Sequence, residues 1–147
     1  MGLFTTLEIS GSALAAERAR AEIVAANLAN AETTRTAEGG PFRRKLAVFS
    51  GAGTSAFRLL LAGYNHLAGH AVGTVRLVDV VEDGSPPTMR YEPGHPDANG
   101  SGFVAYPNIN PIQEMVDMMG AVRAYQLNAS AVTASKHMIQ QSLEILK

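Results

Sequence analysis

The stretch PIQEMVDMMGAVRAYQLNASAVTASKHMIQQSLEILK, from Pro111 to Lys147, has no proline after its first residue and one glycine, Gly120. Proline at the first position opens a helix at no hydrogen-bonding cost, and the residues that follow are mostly good helix formers. Apolar residues recur along it every seven positions. Met115, Val122, Ala129 and Leu143 fill one column, with Lys136 as its polar member, and Met118, Tyr125, Val132, Ile139 and Leu146 fill the other without a gap. The pattern predicts a helix of 37 residues, roughly 55 Å long at 1.5 Å per residue. That is far beyond the ordinary globular helix, so its seam is expected to reach past any compact domain and meet external partners.

The other end of the chain repeats the plan less regularly. From Leu3 to about Ala31 there is no proline and only Gly11 weakens the helix. Leu7, Leu14, Ala21 and Leu28 recur every seven residues; Leu3, Val24 and Ala31 lie on a complementary column that Ser10 and Glu17 interrupt. Ile9, Ala16 and Ile23 add a second apolar stripe, which requires more than one neighbour to cover it. The expected fold is therefore mainly α with a small β element. The two terminal helices are expected to pair as an antiparallel coiled coil around a middle segment that contains a β-hairpin. Residues 1–36 and 108–147 form the helical core in this reading, and residues 37–107 the middle.

Within that middle the period changes. Leu46 to Phe49 is strand-like, Val75 to Val81 reads as a strand, Glu82 to Pro87 as a turn, and Met89 to Glu92 as a returning strand paired with it. Pro93 to Gly102 is too rich in turn formers to be regular, and Phe103 to Tyr106 offers another short strand. Residues 51–74 are rich in Gly and Ala and read as an insertion, with a short helix over Phe57 to Leu67.

Composition removes several classes of function. Hydrophobic residues at 46% and charged residues at 17% describe a folding chain rather than a disordered one. A net charge of -1 gives no electrostatic reason to approach nucleic acid or an anionic membrane, and the single basic run, Arg43-Arg44-Lys45, reads as a solvated turn or a site for a partner's carboxylates. The absence of cysteine excludes disulfides and thiolate chemistry. No window is apolar enough for a membrane span, and the N-terminus lacks the pattern of a cleavable signal, so membrane insertion is not expected.

No catalytic, cofactor-binding or metal-binding residue is assigned, because each candidate has a simpler reading. Gly51-Ala52-Gly53 outlines a nucleotide-binding turn, but the expected acid about twenty residues on is missing and no βαβ alternation surrounds it. His66 and His70 have the four-residue spacing of a zinc pair, yet Leu67 follows where a zincin has its glutamate and no third ligand is evident. His95 and Asp97, set among prolines and glycines, read as turn builders. A small-molecule substrate is accordingly not expected.

Two stretches carry more than physics. Ala26-Asn27-Leu28-Ala29-Asn30-Ala31-Glu32-Thr33-Thr34-Arg35-Thr36 resembles the Asn-rich signature near the N-terminus of the bacterial flagellar rod and hook axial proteins. Its continuation Glu38-Gly39-Gly40-Pro41-Phe42-Arg43-Arg44-Lys45 is similar to the proximal-rod branch of that family, where the general rod signature has a Pro-Gly-Tyr turn. Tyr91 to Gly100, Gly102 to Asn110, Glu114 to Asp117 and Arg123 to Asn128 resemble the same branch; Phe42 departs from its usual tyrosine.

The resemblance implies a structural subunit of the flagellar basal-body proximal rod, the periplasmic drive shaft that transmits torque for motility. It implies type III export without signal cleavage. The implied partners are other rod subunits and copies of the chain itself, with the membrane-ring end of the rod as a further candidate neighbour. The expected assembly seam is Leu7, Leu14, Leu28, Met115, Met118, Val122, Tyr125, Val132, Ile139, Leu143 and Leu146, and the rod-signature positions are Asn27, Asn30, Gly39, Gly40 and Pro41. Asn27 and Asn30 both suit a tie to a loop or a neighbouring subunit; Asn30 equally suits a plain helix stop, whereas Asn27, one turn earlier, is harder to explain as a cap. Gly39, Gly40 and Pro41 are expected to reverse the chain.

Overall fold

Helix α1 runs from Leu3 to Ala29 and helix α2 from Pro111 to Ile145, and together they dominate the computed structural model, which describes residues 2–52 and 73–145. Between them lie β1 (Lys45–Ala52), β2 (Thr74–Glu82), β3 (Thr88–Tyr91) and β4 (Phe103–Tyr106). The described fold is mainly helical with a small β part. The glycine turn at Gly53, the helix expected over Phe57 to Leu67, His66, His70 and Leu146 fall outside the described residues.

Both helices stop and start for local reasons. Asn30 ends α1 by turning its side-chain amide back to the Ala26 carbonyl, 2.8 Å away, which supplies a donor at the frayed end of the helix. Asn110 caps α2: its Oδ1 accepts the Ile112 N–H at 3.0 Å, Pro111 needs no partner, and the Asn110 carbonyl accepts the Glu114 N–H at 3.1 Å.

The strands pair as two separate two-stranded sheets, β1 with β2 and β3 with β4. The second is antiparallel, with Tyr91 opposite Phe103 and Thr88 opposite Tyr106. This corrects the expectation that Met89 to Glu92 returns along Val75 to Val81. The Asp83 N–H is bonded to the Arg44 carbonyl at 2.7 Å, and the Asp83 carboxylate accepts both the N–H and the hydroxyl of Ser85. Pro86 and Pro87, which have no N–H to donate, then carry the chain away from β2, and β3 finds its ladder in β4 instead.

The chain divides into two compact units. In the first, which takes α1 through Ala19 and α2 from Val122, Ser12 links helix and strand: its hydroxyl donates to the Ile9 carbonyl at 2.8 Å and accepts the Val75 N–H at 3.1 Å. The second holds the end of α1, the start of β1, the β3–β4 hairpin and the start of α2. Its buried apolar residues are Val24, Ala31, Val104, Tyr106 and Ala121.

Buried residues in both helices are largely small or polar and several recur at seven-residue spacing, with Ala16 and Asn27 of α1 buried off that column. In α1 and the turn after it, Ser10, Val24 and Ala31 are buried and Glu17 half-buried; in α2, Glu114, Ala121 and Ser135 are buried and Asn128 half-buried. The largest apolar residues of α2 are not in that column.

Candidate assembly site

The second unit is organised around three polar side chains. Asn27, in the last turn of α1, is 1% exposed and clamps the backbone of Lys45, the first residue of β1, through both its N–H and its carbonyl. Its Nδ2 donates to the Lys45 carbonyl at 2.8 Å, and its Oδ1 accepts the Lys45 N–H at 2.8 Å. The second Nδ2 hydrogen goes to Glu114 Oε2 at 3.1 Å. These three bonds fix the amide's orientation, since a flipped side chain would set its oxygen against a carbonyl and a carboxylate.

Glu114, also 1% exposed, completes the knot with its other oxygen. Arg44 donates from both Nε and Nη2 to Glu114 Oε1 at 2.6 Å, and its Nη2 lies 3.7 Å from Asp117 Oδ2. A buried carboxylate needs this pairing, because desolvation would otherwise make the ionised form prohibitive. Its place in the first turn of α2, where the unpaired N–H groups concentrate positive charge, adds to the stabilisation. The end of α1, the start of β1 and the start of α2 thus meet at one hydrogen-bonded point.

The loop that leads into β1 is reversed by its glycines. Gly39 and Gly40 have φ of 88° and 79°, a region that side chains other than glycine rarely adopt. Thr36 N–H donates to the Gly40 carbonyl at 2.9 Å and Gly39 N–H to the Thr36 carbonyl at 3.1 Å; Phe42 N–H then returns to Thr33 at 3.0 Å. Pro41 follows the turn, half-buried.

The β3–β4 loop is tied to the same region. Asp97 accepts the Thr34 hydroxyl at 2.8 Å, lies 3.5 Å from Arg35 Nε, and donates its own N–H to His95 Nδ1 at 3.1 Å. The pair that suggested acid–base chemistry therefore builds a turn and anchors the Asn-rich stretch. Tyr106 donates its hydroxyl to Glu92 at 2.9 Å, and this bond to a carboxylate holds the phenol above its usual pKa. Arg90 stacks 4.4 Å over the Tyr106 ring. Gly102, at φ 78°, sits so close to Tyr91 and Pro93 that a Cβ there would lie 2.9 Å from the Tyr91 ring.

A shallow groove of 230 Å³ runs between residues 39–44 and 83–87. Two of its charged members are engaged, Arg44 with Glu114 and Asp83 with Ser85, while Arg43 is exposed; the Ser85 hydroxyl and N–H hold the Asp83 carboxyl below its usual pKa. Among the described residues no group of three metal-ligating side chains gathers, and no helix is long and apolar enough to cross a membrane.

The seam residues divide between two environments. Leu7, Leu14, Leu28, Met118, Val132 and Ile139 are half-buried, whereas Met115, Val122, Tyr125 and Leu143 are 43–60% exposed. Met115 and Val122 belong to a wider exposed stripe with Ile112, Val116 and Met119 on the first turns of α2. Of the signature residues, Asn27 lies in the knot, Asn30 ends α1, and Gly39, Gly40 and Pro41 form the reversal. Sequence reasoning missed Glu114, Arg44 and Asp117. All three lie in stretches that resemble the proximal-rod branch, but their chemistry read only as an acid in a helix's first turn and a basic run that suited a solvated turn or a partner's carboxylates.

Long terminal helices, a polar knot locking their junction and polar groups engaged in structural contacts describe a structural subunit, and the chain's relatives place it among flagellar rod proteins. Residues 7–35 match the family described as flagella basal body rod protein, and residues 101–145 the flagellar basal body rod FlgEFG protein C-terminal family. The chain is 39% identical to the flagellar basal-body rod protein FlgC of Bacillus subtilis, with all of both chains covered. It is 35% identical to FlgC of Borreliella burgdorferi over 100% of this chain and 99% of the relative, and 35% identical to FlgC of Salmonella typhimurium over 99% and 98%. The chain belongs to the FlgC family of flagellar basal-body rod proteins, and it is a structural rod subunit of the flagellar basal body.

Proposed function

We propose that the chain builds the proximal part of the rod through its terminal helices, with residues 1–36 and 108–147 as the helical layer and residues 37–107 as the projection from it. The observation that carries this reading is the exposed stripe Ile112, Met115, Val116, Met119 and Val122. Five apolar side chains, each about half exposed or more, sit on one helix whose buried column is small and polar. Covering them with a neighbouring subunit gains on the order of 1 kcal/mol apiece.

In this reading α1 and α2 pair as an antiparallel coiled coil. The bond between Asn27, near the end of α1, and Glu114, in the first turn of α2, supports that arrangement. So do the half-buried Leu7, Leu14, Leu28, Met118, Val132 and Ile139, while Met115, Val122, Tyr125 and Leu143 serve neighbours, as does Leu146. The neighbours are other rod subunits and further copies of this chain, joined by contacts that propagate rather than close. Helices packed lengthwise spread a torsional load over many close contacts, which suits a periplasmic shaft that transmits torque.

The same reading makes the chain a structural part without a reaction of its own, delivered by type III export with its N-terminus uncleaved. The engagement of Arg44, Glu114, Asp83 and Asp97 in internal bonds supports the structural role. Deleting the gene in the source cell tests the whole proposal. Loss of rods and of motility, both restored by the intact gene, is the expected result; motile cells with complete rods would overturn it.

A further inference from the structure

Along α2, Glu114, Ala121 and Ser135 are buried and Asn128 half-buried at seven-residue spacing; along α1 and the turn after it, Ser10, Val24 and Ala31 are buried and Glu17 half-buried at the same spacing, with Ala16 and Asn27 buried beside them. Columns of small and polar side chains contain little shape to distinguish one axial alignment from another a heptad away. Among these positions Asn128 spends its side-chain amide on its own helix, bonding the Ala124 carbonyl at 2.9 Å. Glu114 differs, because it bonds two residues that lie 87 and 70 positions away in sequence, Asn27 and Arg44.

We infer that Asn27, Glu114 and Arg44 form a register pin, which fixes the start of α2 against the end of α1 where small and polar buried positions do little to set that alignment. The chemistry is selective in the way apolar packing is not. Glu114 slipped along its helix would leave a carboxylate buried without Arg44, and Asn27 would lose the acceptor for one amide hydrogen while still clamped to Lys45. A buried ion pair of this kind adds little to stability relative to apolar packing, and its best-attested use is to select one alignment over others. Arg44 and Glu114 are thus positioning residues, acting through the helix they hold. The pin belongs to the folded chain itself and stands apart from the identity of its neighbours in the rod.

Distances between spin labels test it directly. The sequence has no cysteine, so Ala29→Cys and Gln113→Cys, both at exposed positions in the same unit as the pin, give a clean labelled pair in the full-length chain. The unaltered pin should give one narrow distance. Glu114→Gln presents an amide donor to the Asn27 donor and should broaden the distribution or add a second population, displaced by up to about 10 Å for a full heptad. Val104→Ala, which opens a cavity at the fully buried side chain of β4, should lower stability without broadening the distance. Arg44→Lys, which keeps the charge but loses the two-pronged bond, should broaden it less than Glu114→Gln. A single narrow distance in both pin variants would overturn the inference. So would equal broadening by Val104→Ala, or loss of helical circular dichroism in both pin variants, since either marks a general folding defect.

Discussion

Replacing Glu114 by alanine should destabilise the chain by about 3–4 kcal/mol. Removing one member of a buried ion pair costs roughly 3–5 kcal/mol because the other charge is stranded. The low end applies here, since the Arg44 side chain keeps 27% exposure and has Asp117 at 3.7 Å to fall back on. Loss of the Asn27 bond and of a negative charge in the first turn of α2 adds about 1 kcal/mol together. For a domain of this size the sum lowers Tm by roughly 6–16 °C. Urea titration followed by circular dichroism measures it, with the m-value expected to stay unchanged. Glu114→Gln, which keeps an acceptor for Arg44, should lose only about 1–2 kcal/mol. A loss below about 1 kcal/mol for the alanine variant would refute the reasoning, since it would mean that the knot is dispensable.

Other consequences are as specific. Gly102→Ala should cost about 1–2 kcal/mol, because φ is 78° and the new Cβ meets the Tyr91 ring; faster amide exchange at Glu92, whose N–H bonds the Gly102 carbonyl, reports it. The neutral Tyr106 phenol donates to Glu92, so its folded pKa is raised. The stability it adds is complete below the ordinary tyrosine value of about 10 and is lost as pH rises through the folded value. Stability measured across that window should fall in the native sequence more than in Tyr106→Phe. Asn110→Ala removes the cap on α2 and should cost about 1 kcal/mol by thermal melting. Met119→Lys, on the exposed stripe, should change the melting of the isolated chain by less than about 0.5 kcal/mol, yet abolish swimming in soft agar.

How much of this was legible in the sequence depended on whether the cause was local. The extent of α2 follows from Asn110-Pro111 at its start and the lack of any later proline, and the stop of α1 at Asn30 follows from a side chain that reaches its own helix. The reversal at Gly39 and Gly40 is likewise local. The pairing of β3 was not legible, because it depends on where Asp83 sends its N–H and on two prolines that cannot extend the β2 ladder. Nor was the division of the α2 repeat into exposed and buried columns. Periodicity reveals that Met115, Val122 and their neighbours share a face, but it does not distinguish a face for the chain's own core from one for another subunit. Glu114 was hidden for a related reason: its partners lie far away in sequence, so it looked like an ordinary helix-start acid.

The central claim is that this chain is a rod subunit that meets its neighbours through its terminal helices, and cryo-electron microscopy of basal bodies purified from the source cell tests it most directly. The expected map places the chain in the proximal rod, with Ile112, Met115, Val116, Met119 and Val122 covered by adjacent subunits. A rod without this chain, or one in which that stripe faces solvent on every copy, would contradict the account.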